Sequence, residues 1–180
     1  SAGGRARQWS MTYNANSQVL TVDGPRTDVN DVTSYTYYDA TDPCLECRGN
    51  VRTTTNAAGH LTMVDAYDVD GQPTRIIDPN GVVTMLSYDV RGRLRTRSVN
   101  AGNAAVETTT FAFDSAGQLV RATMPDGSFL RYQYDAAHRL TEIADGLDNV
   151  IQYTPDALGN RIKEDVFDPA DRLVRTQRRI

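Results

Sequence analysis

Few residues in this chain have types and spacing that suit chemistry. Cys44 and Cys47 form its one Cys-x-x-Cys. A structural zinc needs four ligands, and this pair supplies only two. No sequence feature brings His60 or His138, the two histidines, to the cysteines. The pair therefore reads as plain thiols or a local disulfide pinning a loop, as half of a metal site completed elsewhere, or as a redox dithiol. The redox reading suits a helix start in an α/β unit, which is lacking here. Asp68 with Asp70, and Asp28 with Asn30 and Asp31, offer the oxygen ligands that calcium takes, but no bidentate Glu stands at the EF-hand offset. With 23 acidic residues, some carboxylate pair at glycosidase spacing is bound to occur by chance. No Gly-x-Ser-x-Gly is present, and no nucleophile–base pattern involves either histidine. Arg91, Arg93, Arg95 and Arg97 alternate along the chain. They read as a solvated strand face, or as a contact for an acidic polysaccharide or a passenger domain.

The remaining sequence tells what must hold these residues. An aromatic, an Asp, two variable residues and a Gly keep returning: Tyr67-Asp68…Gly71, Tyr88-Asp89…Gly92 and Phe113-Asp114…Gly117. Altered copies stand at Tyr134-Asp135…His138 and Phe167-Asp168…Asp171. Asp68 and Asp89 are 21 residues apart, as are Asp114 and Asp135, and Asp135 and Asp156; Asp89 to Asp114 is 25. A period near 21 marks a repeat architecture, in which each unit buries its apolar face by stacking on its neighbours.

One repeat contains two strand-like runs. Thr74-Arg75-Ile76-Ile77 leads into Asp78-Pro79-Asn80-Gly81, a strong turn signal, and Val82 to Tyr88 returns. Alternation places Val82, Thr84, Leu86 and Tyr88 on one face, with the aromatic at the end of the return strand. The rings are expected to align as a ladder between repeats. The Asp caps its own turn, and Gly three residues on takes the left-handed conformation. Ser17, His138 and Asp171 stand where Gly is expected, so those turns must change geometry or tolerate strain. The fold class is all-β: repeated antiparallel hairpins in a continuous β-meander ribbon. Residues 1–12 are expected to be a tag or poorly ordered lead-in, and 13–180 an array of about seven repeats with an irregular insertion at about 33–52.

Composition agrees. The chain has 180 residues and a net charge of −4, with Lys163 its one lysine. No basic stripe suggests nucleic acid, and no apolar run reaches membrane-spanning length. No targeting signal opens the sequence. Ser1-Ala2-Gly3-Gly4 reads as a cloning remnant, and the end at Arg178-Arg179-Ile180 reads as that of a fragment.

Tyr88-Asp89-Val90-Arg91-Gly92-Arg93-Leu94 resembles the Tyr-Asp-x-x-Gly-Arg-Leu signature of the rearrangement-hotspot (RHS), or YD, repeat proteins. Asp156-Ala157-Leu158-Gly159-Asn160-Arg161 is similar to the Asp-x-x-Gly-Asn-Arg variant, and Asp78-Pro79-Asn80-Gly81-Val82 to the mid-repeat turn. The resemblance runs from about Tyr13 to Leu173. It implies a β-ribbon spiralling into a hollow shell, as in bacterial polymorphic toxins, insecticidal toxin complexes and extracellular teneurins. In the bacterial proteins the shell encloses a C-terminal toxic domain released by self-cleavage. The Pro-x-x-Gly-Arg-Phe stretch that ends the family's core is missing: Asp168-Pro169 is followed by Ala170-Asp171-Arg172. The family's catalytic aspartates therefore have no positions to map onto. The implied role is a structural shell segment of a larger secreted or cell-surface bacterial protein. It implies no catalysis and no cofactor, and as partners the rest of the parent polypeptide and its C-terminal effector. The alternative from the residues is a carbohydrate-binding surface of exposed Tyr and Arg rows. A third reading, a hydrolase using carboxylates, requires a concave pocket with convergent acids. An isolated array exposes edges and faces that neighbouring repeats would cover, so self-association is expected.

Overall fold

The computed structural model describes residues 8–26, 28–100, 102 and 105–178. The Ser1–Gly4 stretch read as a cloning remnant and the Arg179–Ile180 end lie outside them. The described residues form fifteen strands and no helix. They are β1 (Ser10–Tyr13), β2 (Val19–Asp23), β3 (Thr33–Tyr37), β4 (Val51–Thr55), β5 (Leu61–Tyr67), β6 (Pro73–Ile77), β7 (Val83–Tyr88) and β8 (Leu94–Asn100). There follow β9 (Glu107–Phe113), β10 (Leu119–Thr123), β11 (Phe129–Tyr134), β12 (Leu140–Asp145), β13 (Val150–Pro155), β14 (Arg161–Phe167) and β15 (Leu173–Arg178). The chain divides into two compact units: β1–β7 with residues 98–106, and residues 93–97 with β9–β15. Within each, consecutive strands pair antiparallel in chain order, the all-β meander that the repeat pattern dictates.

Alternation sorts the side chains of each unit onto two faces. In the first, register joins Met11 to Val22, Val22 to Thr33, Tyr35 to Thr54, Val64 to Ile76 and Ile76 to Thr84, an apolar and aromatic face. The opposite face carries Thr12, Thr21, Thr36 and Thr53, whose hydroxyls pair across strands at 2.6 Å, and the row of Thr53 runs on through Met63, Ile77 and Val83. In the second unit, Phe111 faces Ala122, Ala122 faces Leu130, and Tyr132, Ile143, Ile151 and Val166 stand in one row. Behind them, Glu142 accepts from Gln133 at 2.7 Å and from Gln152 at 3.3 Å, a polar rung across three strands. Among the described residues only Tyr38, Cys47, Ala122 and Ala144 are buried hydrophobics. A single sheet layer half-covers its apolar face and leaves no closed core.

Register slips by one residue beside many of the turns. Tyr13 pairs Val19, Tyr134 pairs Leu140 and Phe167 pairs Leu173, each after a bulge. A bulge bends a strand and re-aims the side chain at its end, here the aromatic. A further shift around Asp65 in β5 leaves that residue unpaired in the ladder, ion-paired to Arg75. Strand structure begins at Ser10, inside the stretch read as lead-in, and the irregular 33–52 stretch supplies β3 and a long hairpin loop before β4.

Candidate functional site

The recurrent feature is the turn, and its Asp is the organising residue. In the 68–72 turn, one carboxylate oxygen of Asp68 accepts from the backbone N–H of Asp70 at 3.0 Å and of Gln72 at 2.9 Å. The main chain closes the same loop twice: Gly71 N–H donates to Asp68 C=O and Asp68 N–H donates to Gln72 C=O. Asn14, Asn56, Asp78, Asp135, Asp145, Asp156 and Asp168 repeat this arrangement. Asp89 and Asp114 accept from Arg91 and Gln118 in the same way. Met124 keeps the backbone closure without a side-chain acceptor. A short side-chain oxygen satisfies N–H groups that a five-residue loop does not pair internally, so Asp or Asn is favoured there. Asp68→Ala is expected to destabilise the chain by about 1–2 kcal/mol by stranding two donors. Chemical denaturation of the two proteins checks this.

The third residue after each Asp lies at positive φ. Ser17 (62°), His138 (61°) and Asp171 (56°) take the glycine conformation, so these turns keep their geometry and bear the strain. Asp148 (63°) is a fourth case. Phe167-Asp168 is out of phase with the other aromatic–Asp pairs: it ends β14, an even-numbered strand, whereas Tyr67, Tyr88, Phe113 and Tyr134 end odd-numbered ones. Pro155 takes the aromatic's position before Asp156.

Odd-strand turns are joined to one another through side chains four residues after the Asp or Asn. Gln18 donates to Gly49 C=O at 2.8 Å, Gln72 to Gly92 C=O at 2.9 Å and Gln118 to His138 C=O at 3.1 Å. Arg93 reaches Asp114 C=O at 3.4 Å, and Arg139 reaches Asp156 C=O at 2.8 Å. Sequence reading missed this position, although Gln18, Gln72 and Gln118 were there to be noticed. Gln72→Ala is expected to cost about 1 kcal/mol, the net worth of one hydrogen bond, readable as faster amide exchange in the 89–93 turn.

The aromatics form a second series, though not a stack of rings. Neighbouring strands lie about 4.8 Å apart, so rings on every second strand sit about 10 Å apart, beyond ring-contact range. The link is the hydroxyl. Tyr37 donates to Val19 C=O, Tyr67 to Val51 C=O, Tyr88 to Pro73 C=O and Tyr134 to Leu119 C=O, at 2.7, 2.5, 2.9 and 2.9 Å. Each acceptor begins the preceding strand and is itself paired to the previous aromatic: Tyr13 with Val19, Tyr37 with Val51, Tyr67 with Pro73 and Phe113 with Leu119. Burial pushes the Tyr67, Tyr88 and Tyr134 phenols up from their ordinary value, so these hydroxyls remain donors well into the alkaline range. At Phe113 the ring instead carries the Arg93 guanidinium, 4.6 Å from its centroid.

The 38–50 loop replaces one odd-strand turn. Tyr38 and Asn50 close its neck, and a disulfide joins Cys44 to Cys47. Of the three readings of the cysteine pair, the structure takes the disulfide; no cluster of metal-binding residues occurs among the described residues. Tyr38 is 8% exposed, donates to Val64 C=O at 2.8 Å, meets the Tyr67 ring edge-to-face at 6.4 Å and lies under Arg52.

The other candidates stay apart. Arg91 is an exposed turn residue, Arg93 is committed to the Asp114 turn, and only Arg95 and Arg97 sit exposed on β8. The Arg row is thus not one surface. His60 contacts Asn56 in its own turn, and His138 contacts Gln118. An open cavity of about 560 Å³ is lined by Asn14, Gln18, Tyr35, Tyr37, Tyr38, Asp39 and Arg48. Its one carboxylate, Asp39, is bonded to Thr41, so no acid pair converges there. The Asn160 amide donates to Asp156, and Arg161 stacks on Tyr153 at 3.5 Å, a structural use of the Asp-x-x-Gly-Asn-Arg motif.

Turn carboxylates also set the response to acid. Side-chain bonds from Arg139, Asn149 and Asn160 hold Asp135, Asp145 and Asp156 below the usual carboxylate range, and backbone N–H bonds do so for Asp168. A depressed folded value contributes stability that is full above the unfolded value, about 3.9, and is lost as pH falls through the folded one. The melting temperature is therefore expected to hold from neutrality to about pH 5 and to fall steeply below about pH 4. A flat profile down to pH 2 would contradict it.

The same architecture occurs in known proteins. The Teneurin YD-shell family model matches residues 1–158. Double-stranded DNA deaminase toxin A of Burkholderia cenocepacia (strain H111) is 35% identical over 103 residues, 57% of this chain and 7% of that protein. The Photorhabdus luminescens Tc holotoxin pore carrying the TccC3-D651A mutation contains a chain that superimposes with a TM-score of 0.68 at 17% identity, over 94% of this chain and 9% of its own. TcdB2-TccC3 without its hypervariable C-terminal region gives 0.53 at 15% identity, over 88% and 10%. This chain thus spans a tenth or less of each of these proteins. At such identities the structures establish the fold, and the family match establishes membership. The chain belongs to the Teneurin YD-shell family of RHS/YD-repeat proteins.

Proposed function

We propose that this chain is a wall segment of a hollow β-shell in a larger, secreted or cell-surface bacterial protein, and that the shell encloses a C-terminal toxin or effector domain. The observation that carries this reading is the single-layer apolar face. It carries apolar and aromatic side chains in both units and is half-covered, and among the described residues Ala122 is the one buried hydrophobic in its register rows. Such a face is stable where other parts of a long polypeptide cover it. The motif residues, meanwhile, are spent on joining turn to turn. A relative named as a toxin, and solved toxin-complex chains ten times longer, support a large parent protein.

The test is protease protection. Excising one repeat, residues 114–134, from the full-length protein should open the wall and expose the effector to protease, while the intact protein protects it. Equal protection in both proteins would count against an enclosing wall. For the isolated chain, the reading implies self-association through the uncovered face. Its sedimentation mass should rise with concentration, and a concentration-independent monomer with a high melting temperature would oppose it. The carbohydrate alternative gains little support, because the exposed Tyr rings that it needs are half-buried at Tyr37, Tyr67, Tyr88 and Tyr134, and Arg93 is bonded to main chain.

A further inference from the structure

The Cys44–Cys47 disulfide lies in the 38–50 loop of the first unit, and its two sulfurs belong to residues in unequal positions. Cys47 is 0% exposed, whereas Cys44 is partly open to solvent. The Cys47 backbone anchors the loop from inside: its N–H donates to Cys44 C=O, and its C=O accepts from Asn50 N–H at 2.9 Å. Asn50 C=O in turn accepts from Tyr38 N–H, and Gly49 N–H donates to Tyr38 C=O, both at 3.0 Å. The four-residue disulfide ring is therefore coupled through this neck to Tyr38, whose hydroxyl ties the loop to β5. Gly49 C=O is also the acceptor for Gln18, so the neighbouring 14–18 turn hangs on the same neck.

We propose that Cys44–Cys47 is a thiol-exchange latch: closed in an oxidising compartment, it fixes the 38–50 loop and its Tyr38 clasp, and opened by a dithiol it releases them. Thiol–disulfide exchange requires a thiolate to reach one sulfur, and access selects Cys44. The reductant's first thiolate attacks the Cys44 sulfur, forming a mixed disulfide there, and Cys47 leaves as a thiolate and takes up a proton. The reductant's second thiol then attacks its own sulfur in that mixed disulfide, and Cys44 leaves and is protonated. Two electrons pass to the cysteine pair, and the reductant ends as a disulfide. A buried Cys47 thiol is a small apolar group and needs no new partner. The chain that it restrained regains conformational freedom. This inference does not depend on what the shell encloses.

Amide hydrogen exchange of the whole chain, with and without dithiothreitol, tests it. Reduction should speed exchange at Cys47, Gly49 and Asn50 at least tenfold and leave the Gly81 and Gly127 turns unchanged. The Cys44→Ala/Cys47→Ala variant should show the fast rates without reductant and no further change with it. Brief treatment with oxidised and reduced glutathione should place the adduct on Cys44. The latch is refuted if alkylation proves both thiols free while the loop amides keep their slow exchange. Glutathione found on Cys47, resistance of the disulfide to dithiothreitol, or an alanine variant as protected as the parent would each overturn it too.

Discussion

Replacing Tyr38 by Ala is expected to destabilise the first unit by about 3–5 kcal/mol, the usual cost of truncating a buried aromatic. Most other large side chains of this sheet are half-exposed, and their loss should be milder. Tyr38 is 8% exposed and combines a hydrogen bond to Val64 C=O, an edge-to-face contact with Tyr67 and a covering Arg52. Tyr38→Phe removes the hydroxyl alone and should cost about 1 kcal/mol. Urea denaturation of the three proteins, read alongside hydrogen exchange at β5, separates ring from hydroxyl. An alanine variant as stable as the phenylalanine variant would mean that the ring is not buried in solution.

The second large effect concerns the turns and has two opposite signs. At Gly81 and Gly127 a Cβ would meet nothing within 4 Å, yet φ is 79° and 84°. Gly81→Ala and Gly127→Ala therefore meet conformational strain, partly offset by the lower freedom of alanine in the unfolded chain, for a net loss of roughly 0.5–1 kcal/mol each and roughly 1–2 in the double variant. Ser17→Gly and Asp171→Gly run the other way. Each relieves the same strain, less the greater freedom of glycine in the unfolded chain, for a net gain of roughly 0.5–1 kcal/mol each. Melting temperatures of the two double variants should move in opposite directions. A shift in the same direction would mean that the turns differ in conformation in solution.

The strands, their meander order and the turn positions were legible because a turn of this kind favours Asp or Asn at one position and a residue tolerant of positive φ three later. Tyr88 at the end of β7 and Asp78-Pro79-Asn80-Gly81 before it follow from that rule alone. What joins one repeat to the next was not legible. Gln72 and Gln118 act on main-chain carbonyls about twenty residues away, and a carbonyl leaves no mark in a sequence. The ring ladder was misjudged although the two strands of each repeat already set Tyr67 and Tyr88 two strands, about 10 Å, apart. Phe167-Asp168 shows that the motif marks a turn without saying at which end of the strands the turn lies. Of the Arg row, Arg95 and Arg97 lie exposed on β8 as a solvated strand face does, while Arg93 occupies the joining position, which the alternation did not reveal.

The acceptors in both series of joints are main-chain carbonyls: Gly49, Gly92, Asp114, His138 and Asp156 for the turns, and Val19, Val51, Pro73 and Leu119 for the tyrosines. A donor that recognises only backbone makes no demand on the identity of the residue that it meets. At these joints a unit that keeps the same turn presents the same carbonyl whatever its side chains, so replacing one unit by another of equal length needs no matched change at the joining atoms. The grammar of the wall lies in the polypeptide backbone, and its vocabulary is free to vary.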